Sequence, residues 1–201
     1  MQAEPVALRA RVPQGSPLSP LLFLLYILML YEELEVHKGI VIVGFADDTN
    51  MMTASLSAKD NCAVLERAWV TCEAWAKRYG MAFAPQKSEL LHFSKAKVGL
   101  KDSVTLSGAV IKPKDSVRFL GVFFGRRFTW KRHLLELRRK LATQQYAVTK
   151  LGNSAWGTSV ARARQLYIAV VRSALAYGAA TWHSPAVDGR ATRIAKELKD
   201  V

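Results

Sequence analysis

A run of eleven apolar residues at positions 21–31, counting tyrosine as apolar, constrains the fold of this chain most strongly. A membrane-spanning helix needs about 20 such residues, so the run is too short to cross a bilayer. It is apolar on every side, whereas a surface helix keeps one polar face. The run therefore predicts a helix buried inside a folded protein, and no membrane partner is expected.

Directly before this helix lies a loop rich in glycine and proline, VPQGSPLSP at residues 12–20. Its prolines prevent regular structure, and Pro20 suits the first turn of the helix that follows. Gly15 lets the backbone approach a ligand closely, and the side chain of Gln14 offers both a donor and an acceptor. The pattern predicts a loop that contacts a ligand.

Two adjacent carboxylates, Asp47 and Asp48, follow an apolar strand pattern at residues 40–46, and a second strand pattern resumes at residues 49–53. Strand, acidic turn and strand predict a β-hairpin. Aspartate is also common in ordinary turns, so a purely structural reading stands beside the functional one. In the functional reading the pair binds Mg²⁺, which prefers one or two carboxylates together with substrate phosphates. Two such ions can clamp the attacking and leaving oxygens of a phosphoryl transfer.

A second helix is predicted behind Ser57 and Asp60, which resemble a capping box. Apolar residues recur at spacings of three and four from Cys62 to Tyr79, and Gly80 is a typical C-cap. On one helix Cys62 and Cys72 would lie about 15 Å apart, beyond disulfide reach. Both cysteines are predicted to be reduced core residues, and no disulfide-linked partner is expected.

The positive charge is concentrated near the C-terminus. The formal net charge is +13, yet residues 126–172 contain eleven Lys and Arg against the single Glu136, which leaves 18 basic and 15 acidic residues elsewhere. Unbalanced basic charge favours a phosphate-binding surface, although a solvated helical face is the alternative. The candidate nucleic-acid-binding residues are Arg126, Arg127, Lys131, Arg132, Arg138, Arg139 and Lys140.

Four segments resemble, in order, motifs of the reverse transcriptases. Residues 12–20 are similar to motif B, FADD at 45–48 to motif C, GMAFAPQKS at 80–88 to motif D, and FLGV at 119–122 to motif E, the primer grip. Residues 166–182, with Arg172, Tyr177-Gly178 and Trp182, resemble the region after the palm in non-LTR (LINE-type) retrotransposon polymerases. The chain thus resembles a fragment covering motifs B to E of the palm plus the thumb.

The resemblance implies an α+β fold. It predicts a partial polymerase palm, a small antiparallel sheet with packed helices, followed by an all-helical thumb-like domain. The expected divisions are a truncated leader at 1–11, the palm at 12–125, a basic thumb-like region at 126–185 and a tail at 186–201.

The resemblance also implies site residues. Asp47 and Asp48 would be the catalytic, metal-binding carboxylates, and Lys87 would lie near the departing pyrophosphate as an acid or a counter-charge, unless it is a plain surface lysine. The primer end would be held by Phe119, Leu120 and Gly121, which can equally form a core hairpin. The residues expected to bind the incoming nucleotide are Gln14, Gly15, Ser16 and Phe45.

The implied activity is that of an RNA-directed DNA polymerase, with an RNA template, a DNA primer, deoxynucleoside triphosphates and a two-metal Mg²⁺ site. Family members carry a further metal-binding Asp and the fingers upstream of motif B, whereas residues 1–10 contain Glu4 and no Asp. We therefore expect an incomplete metal site and a fragment that is inactive alone. The alternatives are a catalytically dead remnant that only binds nucleic acid and a generic α/β domain. The family implies an intracellular, nuclear location, with an organelle (the mitochondrion) as the alternative.

Overall fold

The computed structural model describes residues 15–95, 100–151 and 157–183. These residues form two compact units, the first at 15–90 and 100–113, and the second at 91–95, 114–151 and 157–183. Gln14, the predicted leader at 1–11 and the tail at 186–201 lie outside the described residues. The unit boundary precedes the hairpin that carries Phe119, so this hairpin groups with the C-terminal helices. The predicted palm and thumb-like divisions stay predictions.

The first unit contains two long helices, two hairpins and one short 3-10 turn. Its elements are α1 (Ser19–Leu34), β1 (Ile40–Phe45), β2 (Asp48–Thr53), α2 (Ala58–Tyr79), the turn Pro85–Lys87, β3 (Val104–Leu106) and β4 (Ala109–Ile111).

Helix α2 begins and ends as predicted. The side chain of Ser57 accepts a hydrogen bond from the Asp60 amide, and Gly80 closes the helix with a φ of +70°. Cys62 and Cys72 are buried on its inner face, which confirms their placement in the core. Burial raises the pKa of the Cys72 thiol to about 12.

Helix α1 forms as predicted, but the prediction that it is buried on all sides is wrong. Ile27, Leu30 and Leu34 are buried, whereas Leu21 and Leu25 are 58% and 64% exposed. The reason is that α2 and the first hairpin pack against one face, and a helix buries only the face that has neighbours. No helix among the described residues is long and apolar enough to span a membrane.

The described strands form three separate antiparallel hairpins in place of the one small sheet predicted. β1 pairs with β2, β3 with β4, and β5 (Ser116–Phe119) with β6 (Val122–Gly125). Each pair is closed by a two-residue turn, at residues 46–47, 107–108 and 120–121. Such turns pair neighbouring strands locally, and a wider sheet would need pairing between distant segments. The mixture of helices and small antiparallel sheets is compatible with a partial palm.

Beyond β6 the described part of the second unit is mainly helical. The elements are α3 (Lys131–Leu151), α4 (Val160–Leu166), a π-helical stretch (Tyr167–Arg172), α5 (Ser173–Ala176) and α6 (Ala179–Trp182). The inner face of α3 packs on Val122 of β6, Val171 and Trp182 to form the core of this unit. That these helices constitute a thumb-like domain stays a prediction.

Candidate functional site

The acidic pair lies at the tip of the first hairpin. Phe45 pairs with Asp48 across the ladder, so Asp47 belongs to the two-residue turn and Asp48 is the first residue of β2. Both carboxylates are exposed, and neither forms an ion pair with another described residue. The predicted hairpin is confirmed, and its tip presents two adjacent carboxylates that pair with no cation of the described residues.

The backbone at this tip is strained. Ala46, directly before the acidic pair, has a φ of +51°. This is the left-handed region, which is unfavourable for a residue with a Cβ by roughly 1–2 kcal/mol. Such strain persists only where the surrounding structure holds the chain in place, and it is frequent at functional sites.

Helix α1 supplies that support through Tyr31. Its hydroxyl lies 3.1 Å from the Thr49 hydroxyl, so the two side chains share a hydrogen bond. The Tyr31 ring also rests on Gly44, where a Cβ would lie only 2.8 Å from the ring carbon Cζ. Because Gly44 and Thr49 face each other in the ladder, Tyr31 contacts both members of the pair next to Phe45–Asp48, the last pair before the turn.

Asp47 and Asp48 at this tip offer the chemical type of ligand that Mg²⁺ prefers. Exposed carboxylates are the ligands that Mg²⁺ takes from proteins, together with water and substrate phosphates. In the described parts of the chain no three His, Cys, Asp or Glu residues converge into a metal-binding group. Asp47 and Asp48 would therefore supply part of a ligand set.

The loop before α1 is described from Gly15 onward. Gly15 has a φ of +92°, which favours glycine. The Ser16 side chain accepts a hydrogen bond from the Leu18 amide at 3.3 Å, and its carbonyl accepts one from the Ser19 amide at 3.2 Å. Ser16 thus fixes the entry into the helix, and the ligand contacts of this loop stay predictions.

Two further predicted site residues are exposed. Phe45 is the last residue of β1, beside the acidic tip, and is 59% exposed. Phenylalanine is usually more buried than this. Lys87 ends the 3-10 turn after α2 and is also exposed. It lies on a different segment from the acidic hairpin, and its role at a leaving group stays a prediction.

The predicted primer grip forms the turn between β5 and β6. Leu120 and Gly121 have φ values of +46° and +83°. Positive values at both central residues are typical of a type I′ hairpin turn. Phe119 closes the strand, with its ring centroid 6.3 Å from that of Phe124. The hairpin is confirmed, but its turn does not lie in the core, because Leu120 is 37% exposed. The contact of these residues with a primer stays a prediction.

Buried His133 links α3 to this hairpin. Its Nδ1 accepts a hydrogen bond from the Phe123 amide at 3.5 Å, and its ring centroid lies 5.5 Å from that of Trp182. Burial lowers the pKa of His133, because a charged imidazole loses its hydration there. The sequence offered no paired spacing that would have pointed to this histidine.

Most of the predicted basic surface is exposed. Arg126 is the exception, since its side chain is 23% exposed and its Nε lies 3.7 Å from the Asp115 carboxylate. Glu136 partly balances the helix, with carboxylate oxygens 2.8 Å from Arg132 and 3.7 Å from Arg139. The exposed members of the predicted set are Arg127, Lys131, Arg132, Arg138, Arg139 and Lys140.

The basic surface also includes Arg118 and Lys150, which were not among the predicted residues. The guanidinium carbons of Arg118 and Arg132 lie 6.0 and 5.8 Å from the ring centroid of Phe123. Further along α3, the Lys150 ammonium lies 4.6 Å from the Tyr146 ring. Cations interleaved with aromatic rings suit phosphates and bases together. Residues seven positions apart lie on one face of a helix. The spacing of Arg132, Arg139 and Tyr146 along α3 could therefore have indicated that basic and aromatic side chains share a face.

Comparisons with known proteins agree with these features. The family model described as reverse transcriptase (RNA-dependent DNA polymerase) matches residues 2–124. A probable RNA-directed DNA polymerase from transposon BS of Drosophila melanogaster is 26% identical over 184 residues, covering 89% of this chain and 20% of the relative. The RNA-directed DNA polymerase from mobile element jockey of the same fly is 25% identical over 183 residues, covering 87% of the chain and 19% of the relative.

A third relative is the retrovirus-related Pol polyprotein from type-1 retrotransposable element R1 of Bradysia coprophila, 26% identical over 171 residues, which cover 85% of this chain and 17% of that protein. The chain thus spans about a fifth of the length of the curated relatives it matches. No solved structure matches it. With the family model covering more than half of its residues, the chain belongs to the reverse transcriptase family, in the branch of the non-LTR retrotransposon polymerases.

Proposed function

We propose that the chain is part of an RNA-directed DNA polymerase and that Asp47 and Asp48 serve the transfer of nucleotides onto a DNA primer. The observation that carries this proposal is the strained hairpin tip with two exposed carboxylates, which form no ion pair with another described residue and lie inside the segment that matches the family. In the reaction, the hydroxyl oxygen at the primer end bonds to the α-phosphorus of a deoxynucleoside triphosphate and gives up its proton, while the bond from that phosphorus to the pyrophosphate breaks and pyrophosphate leaves.

The other predicted residues have places in the same proposal. Gln14, Gly15, Ser16 and Phe45 would contact the incoming nucleotide, and Lys87 would carry a positive charge to the departing pyrophosphate. Mg²⁺ bound at Asp47 and Asp48 would offset the negative charge that gathers on the phosphates. The resemblance implies one further metal-binding Asp upstream of motif B, whereas residues 1–10 contain Glu4 and no Asp. We propose accordingly that the 201-residue chain does not extend a primer alone.

The test supplies the upstream part of a relative. We would fuse the chain to the segment of the jockey polymerase that precedes the matched region and measure primer extension on an RNA template with Mg²⁺. We expect extension by the fusion and none by the chain alone. Asp47→Asn should abolish it, because the amide keeps the shape but not the charge. Lys87→Ala should reduce the rate by about 10²- to 10⁴-fold, the range of one acid or base.

Lys77→Ala provides a matched control, since Lys77 is another exposed lysine of the first unit, and its rate should be unchanged. Equal extension by the fusion and its Asp47→Asn variant would contradict the catalytic role. A soluble, folded fusion that binds primer and template but never extends would favour the alternative, a remnant that only binds nucleic acid.

A nuclear site of action is proposed on the same family grounds, because the reaction copies RNA into DNA at a genome. A fluorescent fusion of the chain, imaged with nuclear and mitochondrial markers, tests it. Accumulation in mitochondria would contradict it and favour the organellar alternative.

A further inference from the structure

The turn between β5 and β6 contains a residue that should not hold its conformation unaided. Leu120 occupies the left-handed region with a φ of +46°, where a residue with a branched side chain is strained. Strained positions of this kind persist when neighbouring structure over-determines them. The neighbour here is Tyr177, which lies 57 positions further along the chain and within the same compact unit.

Tyr177 contacts both residues of the turn. Its hydroxyl donates a hydrogen bond to the Leu120 carbonyl at 2.9 Å. Its ring rests on Gly121, where a Cβ would lie 2.9 Å from the ring carbon Cε1. Glycine at this position therefore serves two needs, the φ of +83° and the close approach of the tyrosine ring.

Tyr177 is itself held by the residues that follow it. Gly178 has a φ of +63°, and a Cβ there would lie 2.9 Å from the Val122 side chain, so this corner of the backbone sits directly on β6. The Trp182 indole donates a hydrogen bond to the Tyr177 carbonyl at 3.2 Å, and Trp182 is buried. The corner at Tyr177 and Gly178 is thus held by Trp182 of the core, and the Tyr177 side chain contacts the turn.

Tyr177 is 57% exposed, which distinguishes it from a core tyrosine. Its hydroxyl and its ring both contact the turn, so its main physical effect is to fix the orientation of the Leu120 carbonyl and the Gly121 backbone. We infer that Tyr177 is a positioning residue that sets the conformation of the primer-grip turn and through it the placement of the primer terminus. The inference rests on the proposed role of Phe119, Leu120 and Gly121 in holding the primer.

The experiment uses the whole chain and two readouts. Hydrogen exchange of the Phe119 and Val122 amides, which belong to the ladder pair that closes the turn, reports on the turn without nucleic acid. A fluorescent purine analogue at the primer terminus, compared with the same analogue placed inside the duplex, reports on the placement of the primer end in the complex with an RNA template. The variants are Tyr177→Phe, which keeps the ring, and Tyr177→Ala; Tyr167→Phe is the matched control, as Tyr167 is an exposed tyrosine of the same helical region.

Loss of one hydrogen bond in Tyr177→Phe should speed exchange in the turn by about threefold to tenfold, and Tyr177→Ala should speed it further. The change in fluorescence that binding causes in the terminal probe should be smaller in Tyr177→Phe and nearly absent in Tyr177→Ala. The internal probe and the duplex affinity should stay within about twofold, because phosphate contacts dominate affinity. Tyr167→Phe should change neither readout.

Unchanged exchange in the turn of both Tyr177 variants would overturn the inference. A second outcome would also overturn it: faster exchange in the turn of the Tyr177 variants with no change in the fluorescence of the terminal probe, while Phe119→Ala does reduce that fluorescence. The turn would then place the primer without help from Tyr177. A wild-type complex with no terminus-specific signal would overturn the primer-grip proposal itself and this inference with it. That failure is visible before any Tyr177 variant is compared.

Discussion

The hydroxyl of Tyr31 occupies the space that a side chain on residue 44 would need. A Cβ on Gly44 would lie 2.8 Å from Tyr31 Cζ and closer still to the hydroxyl oxygen. Gly44→Ala should therefore displace Tyr31 or the hairpin and lower the free energy of unfolding by about 1–3 kcal/mol, the usual effect of overpacking. Urea unfolding of both proteins measures the difference.

The matched control for Gly44→Ala is the same substitution in a Tyr31→Ala background. With the ring removed, the added methyl group has room, so Gly44→Ala should then have little effect. A double-mutant cycle would give a coupling free energy of about the size of the single-variant loss. Equal losses in both backgrounds would mean that the clash involves other atoms.

Replacing Ala46 should relieve the strain at the acidic tip. Ala46→Gly removes roughly 1–2 kcal/mol of left-handed strain and adds roughly 0.5–1 kcal/mol of backbone entropy lost on folding. We expect a net gain in unfolding free energy of about 0.5–1 kcal/mol on these terms. Ala54→Gly is the control, because Ala54 lies outside the left-handed region, and it should be neutral or destabilising. A loss of stability in both variants would argue against strain at Ala46.

The exposed basic face of α3 should bind nucleic acid without sequence preference. Replacing Arg138, Arg139 and Lys140 with alanine should weaken binding to an RNA–DNA duplex. The slope of log K against log salt should flatten by about one unit for each side chain that meets a phosphate. Fluorescence anisotropy over a series of salt concentrations measures both effects.

Its control removes the same charge elsewhere. Lys38, Lys59 and Lys77 are exposed lysines of the first unit, and their triple alanine variant should keep most of the wild-type slope. If both triple variants flattened the slope equally, net charge and not the α3 face would determine binding. An unchanged slope in the α3 variant would show that these side chains only face solvent.

Acidification should destabilise the second unit through His133. Burial lowers its pKa below the ordinary value of 6.5, so the unfolded chain binds more protons than the folded one. The stability that neutral His133 contributes is complete above pH 6.5 and is lost as the pH falls through that value toward the folded-state pKa. Protonation of Nδ1 would also remove the acceptor for the Phe123 amide.

Urea unfolding between pH 8 and about pH 5 would measure this loss in the wild type and in His133→Asn, whose side-chain oxygen can replace Nδ1 as an acceptor. The variant should lose less stability over the same interval. The other histidines remain in both proteins, so the difference isolates His133. Identical pH profiles would mean that His133 does not titrate differently in the folded and unfolded states.

Features that depend on near neighbours in sequence could be predicted. The capping pattern at Ser57 and Gly80 fixed both ends of α2, because helix termini follow from a few adjacent residues. The acidic tip of the first hairpin was also correctly predicted, since strand patterns and a turn are local signals. The π-helical stretch at Tyr167–Arg172 carries no such signal, and nothing in the sequence indicated it.

Features that depend on distant partners could not be predicted. The exposure of Leu21 and Leu25 depends on which elements pack on α1 and is not visible in the composition of the helix. The support of Gly44 by Tyr31 and of Leu120 by Tyr177 joins segments far apart in the chain. The resemblance included Tyr177-Gly178 and Trp182, but their support of the Leu120 turn depends on the folded structure.

The two-residue turns of the three hairpins also bear on how the chain folds. Each turn joins strands that are neighbours in sequence, so each pairing closes a very small loop and loses little chain entropy. Contacts between residues that are close together in sequence form quickly. We expect each hairpin to pair soon after it leaves the ribosome, so that the three hairpins form in sequence order. The slower steps would then be the packing of Tyr31 and Tyr177 onto turns that have already formed.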